Sequence, residues 1–516
     1  PPRGTPRRVD RPVVRARTRM SMSPWRLRLL IVSLLTVAIL GALDHTIVST
    51  SLATVAGELG ALAQMGWVVV GYTLASTVLL PVLGKLGDAV GPRAVFLVSL
   101  VLFLVASLAC GFAQDMPQLI GARVVQGMSS AGLHLMSQTI VARVTTPRER
   151  PRYLALIGAA FPVAILIGPV LGGLITDYWG WQWVFWINIP FGVAALLLAL
   201  VAVPHLPGFG RRRFDVGGSV SFAIAMVALV LAVTWIGDPA RAAASVVAFV
   251  VAGMAFAAFF LIELRAPEPL VPLRLFADRT IAVGTVLSAI IGIGLFSITA
   301  YLPTYIQMAY RTSATVSGLV PIATVFGMLV SNLATGWLVS RTGHYRVYCI
   351  VGTALSAAGL FVMSVLPVGL PLWVPMIVMA VVGVGTGAFM SLVIAVVQSA
   401  APRRDTGSMT ATVNLVRQVG STVATAIIGG VIGFGVAALL PSSLDAATLT
   451  PQFVHDASAA VQSQVAGIYS GIFAPVFAAL AVTYAAGVVA AVLLPAGRLS
   501  DESEPAPAPS SEPLTA

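Results

Sequence analysis

The chain is expected to be an all-α polytopic membrane protein. Three observations carry that expectation. Of its 516 residues, 58% are hydrophobic and only 9% are charged, where a soluble domain carries roughly 25%. Apolar runs long enough to cross a bilayer recur along almost the whole length. The basic residues alternate with those runs in the way membrane topology demands.

Fourteen spans follow from the lengths of the runs, at about 29–50, 65–86, 94–113, 116–141, 153–176, 182–203, 216–236, 242–264, 280–306, 315–339, 347–366, 371–397, 408–438 and 470–494. With the N-terminus in the cytoplasm, the cytoplasmic segments hold Lys85, Arg93, Arg143, Arg211, Arg274, Arg341, Arg403, Arg498 and most other basic residues. The outward loops then hold only Arg241 and Arg311. Losing one span would invert every later loop and spoil the separation, so both termini are expected inside. The net charge of +11 thus reflects topology, and no nucleic-acid partner is expected. Cys110 and Cys349 fall within apolar runs, which predicts no disulfide and no cysteine-based metal site. No cofactor, nucleophile–base arrangement or nucleotide loop is evident, and the chain is not expected to be an enzyme. Arginine bias suggests a GC-rich bacterial genome and hence a multi-pass protein of a bacterial inner membrane.

In the first span, Asp44 interrupts an otherwise apolar stretch. Placing a carboxylate inside a bilayer is expensive, so such an acid is a functional candidate by default. It either exchanges protons across the membrane or is a structural aspartate in a permanent pair. Arg123, in span 4, falls at a comparable depth and is the expected partner, either tuning Asp44 or held by backbone carbonyls for packing. His45 is adjacent but faces another direction on a helix, and is expected to pack.

Span 4 carries a polar stripe of Arg123, Gln126, Ser130, His134 and Ser137, and span 13 carries Thr410, Asn414, Arg417, Gln418, Ser421 and Thr425. Such stripes face a cavity or a neighbouring helix, not lipid. Two of them predict a central aqueous cavity that includes Gln126, His134, Asn414, Arg417 and Gln418. Arg417 either meets an anionic group of the substrate or serves as a structural partner. Tyr301 and Tyr305 are expected to line the same cavity, with Phe161 and Phe326 as further candidates. Trp181, Trp183 and Trp186 are expected in the outer aromatic belt. Gly158, Pro162, Gly168, Pro169, Gly172 and Gly173 make span 5 bendable and able to pack closely.

An internal repeat links the halves. GKLGDAVGPR starts at Gly84, at the inner end of span 2, and GWLVSRTGHYR starts at Gly336, at the inner end of span 10. Gly84 aligns with Gly336 and Gly91 with Gly343, while Ser340 stands where the first copy has Asp88. Duplicated halves are common in transporters. The expected parts are a disordered basic tail (1–24), a six-helix bundle (25–205), two inserted helices with linkers (206–276), and a second bundle (277–498). An outward loop at 441–467 holds a short helix in DASAAVQSQVAG, and a disordered acidic, Pro-rich tail (499–516) closes the chain.

These motifs, together with IGARVVQG at span 4, IGPVLGG at span 5, LDHTIV in span 1, WQWVFWINIP at span 6 and ELRAPEPLVPLRLF after the inserted pair, resemble the major facilitator superfamily. They resemble in particular its fourteen-span drug:proton antiporter branch. The resemblance implies a major facilitator fold in a 6+2+6 arrangement. It implies gating roles for Gly84, Asp88, Gly91 and Arg93 in the loop motif, with Asp88 against the start of span 13. It also implies roles for Gly168, Pro169, Gly172 and Gly173 in favouring exchange over leak. The expected partners are a small-molecule substrate, protons and the lipid bilayer, in a monomer. The expected activity is proton-coupled export of hydrophobic or amphipathic compounds. The alternatives are export of an endogenous metabolite, lipid or siderophore, proton-coupled import, and a transporter-derived scaffold.

Overall fold

The computed structural model describes residues 23–59, 64–210, 215–235, 239–440, 454 and 457–500. Among these, every regular element is helical, apart from one isolated bridge between His344 and Arg498. The first bundle comprises α1 (Pro24–Glu58), α2 (Met65–Val90), α3 (Pro92–Gly111), α4 (Met116–Val144), α5 (Arg150–Gly158), α6 (Ala160–Trp179), α7 (Gln182–Trp186) and α8 (Asn188–Ala202). The inserted pair is α9 (Val216–Thr234) and α10 (Ala242–Arg265). The second bundle comprises α11 (Arg279–Tyr310), α12 (Ala314–Ser317), α13 (Leu319–Thr342), α14 (Arg346–Val365), α15 (Trp373–Ala400), α16 (Thr406–Leu439) and α17 (Ala459–Leu493).

Thirteen helical segments among the described residues are long and apolar enough to cross a membrane, with α5–α6 and α7–α8 each counting as one. Helix α4 is not among them. Its 29 residues are long enough, but Arg123, Gln126, Ser129, Ser130, His134, Ser137 and Gln138 dilute its apolar character. Those polar groups are affordable because most of them are buried against other helices.

Helix starts follow local chemistry. Asp115 Oδ1 accepts from Gln118 N at 2.8 Å, Asp215 Oδ1 from Gly218 N at 2.8 Å, and Asp278 Oδ1 from Thr280 N at 2.7 Å. Each carboxylate satisfies a backbone donor that the helix leaves open. The α2–α3 turn needs glycine at 91, where φ is +103° and a Cβ would lie 2.2 Å from the Leu206 carbonyl.

Helices in a bilayer associate by close packing more than by the hydrophobic effect, so small residues mark the contacts. On α6, Gly168 faces Thr46 of α1, and a Cβ there would lie 2.1 Å from its Oγ1. Gly172 faces Thr50 at 2.2 Å and the Ile47 carbonyl at 2.8 Å. Thr46 Oγ1 donates to the Ala164 carbonyl at 3.1 Å, and Ser51 and Thr176 hydroxyls are 2.6 Å apart. Pro169 lies inside α6 on an exposed face. At Gly173, grouped with these residues by motif, a Cβ would meet nothing within 4 Å, so the α1–α6 contact does not need glycine there.

Two expectations change. The DASAAVQSQVAG helix is not separate: α17 begins at Ala459 and runs unbroken into the last apolar stretch. Most of the expected 441–467 loop, and both expected tails, lie outside the described residues. Trp181 is not in an aromatic belt. It is 2% exposed and its indole N–H donates to Glu58 Oε2 at 2.8 Å, because a buried indole needs an acceptor. Trp183 does face outward.

The α1–α6 contact makes neighbouring glycines unequal. Gly172→Ala should destabilise the protein by about 1–3 kcal/mol through overpacking. Gly173→Ala should leave stability unchanged or raise it by up to about 1 kcal/mol through helix propensity. Thermal unfolding of the detergent-purified variants checks this, and equal melting temperatures for the two would sink it.

Candidate functional site

Asp44 and Arg123 meet. Asp44 sits on α1 and Arg123 on α4, both are 1% exposed, and Arg123 Nη1 lies 2.5 Å from Asp44 Oδ2. A charge-assisted pair of this kind is short and strong, but burial makes both charges costly unless their remaining valences are filled. They are filled. Asp44 Oδ1 accepts from Gln126 Nε2 at 2.8 Å and from Asn188 Nδ2 at 3.0 Å. Ser107 Oγ accepts from both of those amides and donates to the Phe185 carbonyl at 3.0 Å. Arg123 also donates to Gln126 Oε1 at 2.7 Å and to the Val68 carbonyl at 3.4 Å. Its guanidinium lies over the Tyr72 ring, 4.3 Å from the centroid.

Beside this cluster is a cavity of about 240 Å³ built from both bundles. Asp44 and Arg123 are not among its lining residues, whereas Tyr72 and His45 are. The ring that covers Arg123 therefore also forms cavity wall, and the Tyr72 hydroxyl donates to Ser130 Oγ at 2.6 Å. His45, expected only to pack, borders the cavity with its ring 5.9 Å from that of Tyr72.

Of the expected cavity residues, His134, Phe161, Asn414, Arg417 and Gln418 line this space. Phe161 faces Phe296 of the second bundle at 5.9 Å between centroids. Gln126, Tyr301, Tyr305 and Phe326 do not line it. Gln126 turns to the Asp44 cluster instead, since the carboxylate competes for its amide. Tyr301 donates its hydroxyl to the Thr425 carbonyl at 2.9 Å. Tyr305 is 2% exposed among Phe473, Phe477 and Tyr310, with centroids 4.9, 5.3 and 6.0 Å away. Phe326 is 58% exposed on the outer surface.

One side of the cavity is closed by a polar lattice between the bundles. Asn414 Nδ2 donates to Gln138 Oε1 at 2.7 Å, which leaves the Gln138 amine to donate to His134 Nε2 at 3.0 Å. His134 Nε2 is then an acceptor, and a neutral His134 carries its proton on Nδ1. Gln398 Nε2 donates to the Gln138 carbonyl at 3.3 Å and to Thr410 Oγ1 at 2.9 Å.

Beyond the lattice lies the end of the bundle where α2 stops and α16 starts. Asp88 is fully buried there and accepts from Gly407 N at 2.9 Å, Ser408 N at 2.8 Å and Ser408 Oγ at 2.8 Å. A carboxylate at a helix N-terminus satisfies open donors and the positive end of the dipole. Arg143 is 3.3 Å away. Gly84 permits the approach, since a Cβ there would lie 2.6 Å from Ala411 Cβ. Arg93 donates to the Leu200 carbonyl at 2.9 Å. The repeat does the converse. Gly336 meets α5, with a Cβ 2.5 Å from Ala155 Cβ, and Arg148 donates to the Ser340 and Arg341 carbonyls in the last turn of α13.

Asp44 is not the sole buried acid among the described residues. Asp88, Glu263 and Asp405 are as buried, but lie at helix ends. Glu263 accepts from Leu270 N and Val271 N, both at 3.0 Å. Sequence reading passed over Asn188, Ser107, Tyr72 and Gln138. Gln138 extends the α4 stripe one turn past His134, and Asn188 is an amide inside an apolar run, so both carried a signal. Ser107 and Tyr72 are ordinary in such runs and carried none.

The chain matches the Major Facilitator Superfamily over residues 34–425. It is 32% identical over 488 residues to an uncharacterized MFS-type transporter of Mycobacterium tuberculosis, spanning 93% of this chain and 71% of that protein. It is 30% identical over 406 residues to the multidrug transporter protein MdtP of Bacillus subtilis, spanning 78% of this chain and 75% of that protein. A solved proton:xylose symporter, XylE, superposes with a TM-score of 0.58 at 13% identity, over 92% of this chain and 98% of that one. At that identity the likeness speaks for the fold alone. Fold and family are those of membrane transporters, and the chain belongs to the Major Facilitator Superfamily.

Proposed function

We propose that the protein is a proton-coupled antiporter that exports hydrophobic or amphipathic small molecules by alternating access. The observation that carries this reading is the buried Asp44–Arg123 pair set one ring away from a cavity shared by both bundles. The multidrug names of Bacillus subtilis relatives at 28–30% identity support the class of cargo. Dedicated export of an endogenous metabolite, lipid or siderophore uses the same cycle with a different cargo.

In this reading α4 crosses the membrane with the other thirteen segments. Its last turn carries Arg143, bonded to Asp88 at the end of α2, which supports a full traverse and fourteen spans. Arg93, Arg143, Arg148, Arg341, Arg403 and Arg498 belong to this same end of the bundle, which supports a cytoplasmic assignment for it and for both termini. The protein then resides in a bacterial inner membrane and works as a monomer.

The cycle follows from the electrostatics. Protonating Asp44 in the present geometry would leave Arg123 buried without a counter-charge, and breaking such a pair costs about 3–5 kcal/mol. Proton arrival must therefore be accompanied by movement of α1 against α4. Because Tyr72 covers Arg123 and lines the cavity, that movement alters the cavity wall. The cavity is sealed by the Asp88 cap, the Gln138–Asn414 lattice and the Arg148 contacts. These must part when it opens on that side. One proton moving down 100 mV supplies about 2.3 kcal/mol, comparable to the loss of one helix cap at about 0.5–2 kcal/mol.

Two experiments test this. In proteoliposomes, Asp44→Asn should reduce flux driven by a pH gradient by at least about tenfold, which is ~1.4 kcal/mol. Full gradient-driven flux in that variant would remove Asp44 from the coupling. Asp88→Ala should raise the population open at the capped end by roughly 3- to 30-fold, corresponding to the lost cap. The readout is the alkylation rate of a cysteine at Thr410, which is 0% exposed. An unchanged rate would mean that Asp88 does not hold that end shut.

A further inference from the structure

We infer that the cavity is built for amphipathic organic anions, with Arg417 as the receptor for the acidic group. This rests on the reading of the cavity as the transport site and adds the charge of the cargo. Arg417 lies on α16, is 9% exposed and lines the cavity. Its Nε donates to Ser288 Oγ at 3.2 Å and its Nη2 to the Met390 carbonyl at 3.1 Å. Among the described residues its Nη1 donates to no group, and no carboxylate lies within 4 Å of the guanidinium. An arginine at membrane depth pairs with an acid or with backbone carbonyls, and Arg417 has a carbonyl but no acid among the described residues. Here a hydroxyl and a carbonyl hold its orientation, and among the described residues its charge has no counter-ion.

The rest of the wall agrees. None of the residues lining the cavity is Asp or Glu. The one deep acid nearby, Asp44, is excluded from the lining and already neutralised by Arg123. The other ring nitrogens on the wall belong to His45 and His134, and neither side chain supplies a negative charge. An organic cation entering this space would meet a positive charge at low dielectric with no carboxylate to receive it. An organic anion would meet a preorganised guanidinium whose planar fork suits carboxylate or sulfonate. Gln418, also on the wall and one residue along α16, adds an amide whose side chain makes no hydrogen bond among the described residues. Phe161, Phe296, Leu295 and Leu133 supply the apolar surface for the body of such a molecule.

The charge balance has a consequence of its own. An anion leaving as one proton enters carries two positive charges inward per cycle. A monovalent cation leaving in the same exchange carries none.

The test uses the full chain and two radiolabelled amphipaths on one ring system, 2-naphthalenesulfonate and 2-naphthyl-trimethylammonium. Binding to detergent-purified protein should favour the sulfonate by at least about tenfold, the weight of one charge-assisted contact. Arg417→Gln should abolish that preference, whereas Arg417→Lys, which keeps the charge, should retain most of it. Equal or tighter binding of the ammonium compound, or sulfonate binding unaffected in a folded Arg417→Gln protein, would overturn the inference. In proteoliposomes, a potassium diffusion potential should accelerate sulfonate flux. Gradient-driven flux of the ammonium compound alone would refute the anion site and leave proton antiport standing. Arg417-dependent sulfonate binding without gradient-driven flux would uphold the anion site and refute proton antiport.

Discussion

The buried ion pair between Asp44 and Arg123 constrains the first bundle more than any other contact. Two opposite charges with almost no exposure survive only if every remaining donor and acceptor is met. Meeting them draws in side chains from several helices: Gln126 from α4, Asn188 from α8, Ser107 from α3, and through Ser107 the Phe185 carbonyl of α7. Five helices are thereby held in register around one carboxylate. The close contact of α1 with α6 at Gly168 and Gly172 begins two residues beyond Asp44, so that interface is tied to the same point.

The pair does not share space with the cavity, and that separation limits how the proposed proton coupling could work. Direct competition between proton and cargo for one carboxylate requires the carboxylate to face the cargo. Here Tyr72 and His45 form the wall, and Arg123 lies behind the Tyr72 ring. In the proposed antiport cycle, coupling would run through movement of that wall. A partitioned arrangement also leaves the cavity free to carry a charge of its own, and Arg417 gives it a positive one.

The two bundles carry similar loops at Gly84 and Gly336 but use them with opposite polarity. In the first copy Asp88 receives backbone donors at the start of α16. In the second copy Ser340 replaces the acid, and the backbone carbonyls at the end of α13 receive Arg148. Each contact places the appropriate charge at a helix end. Together they join the two bundles at the same end of the molecule through unlike chemistry.

Much of this was legible in the chain. Run length and charge distribution predicted the helices, since a bilayer demands apolar segments of near-constant length. Asp44 in the first span, the polar face of α4 and the repeated loop marked the regions that matter, because a charge at membrane depth is too costly to occur without hydrogen-bond partners or a function. Helical spacing could not say which way each polar group would turn. Gln126, His134 and Gln138 share a helix, yet Gln126 serves the ion pair while His134 and Gln138 border the cavity. That choice depends on which helix packs opposite. Tyr305 looked like a cavity residue until the rings of α17 were seen to enclose it. The sequence by itself determined the helices, their order and the presence of a buried charge. Only the tertiary structure decided the partners, because hydrogen bonds of about 3 Å depend on how helices pack, which periodicity along one chain does not encode.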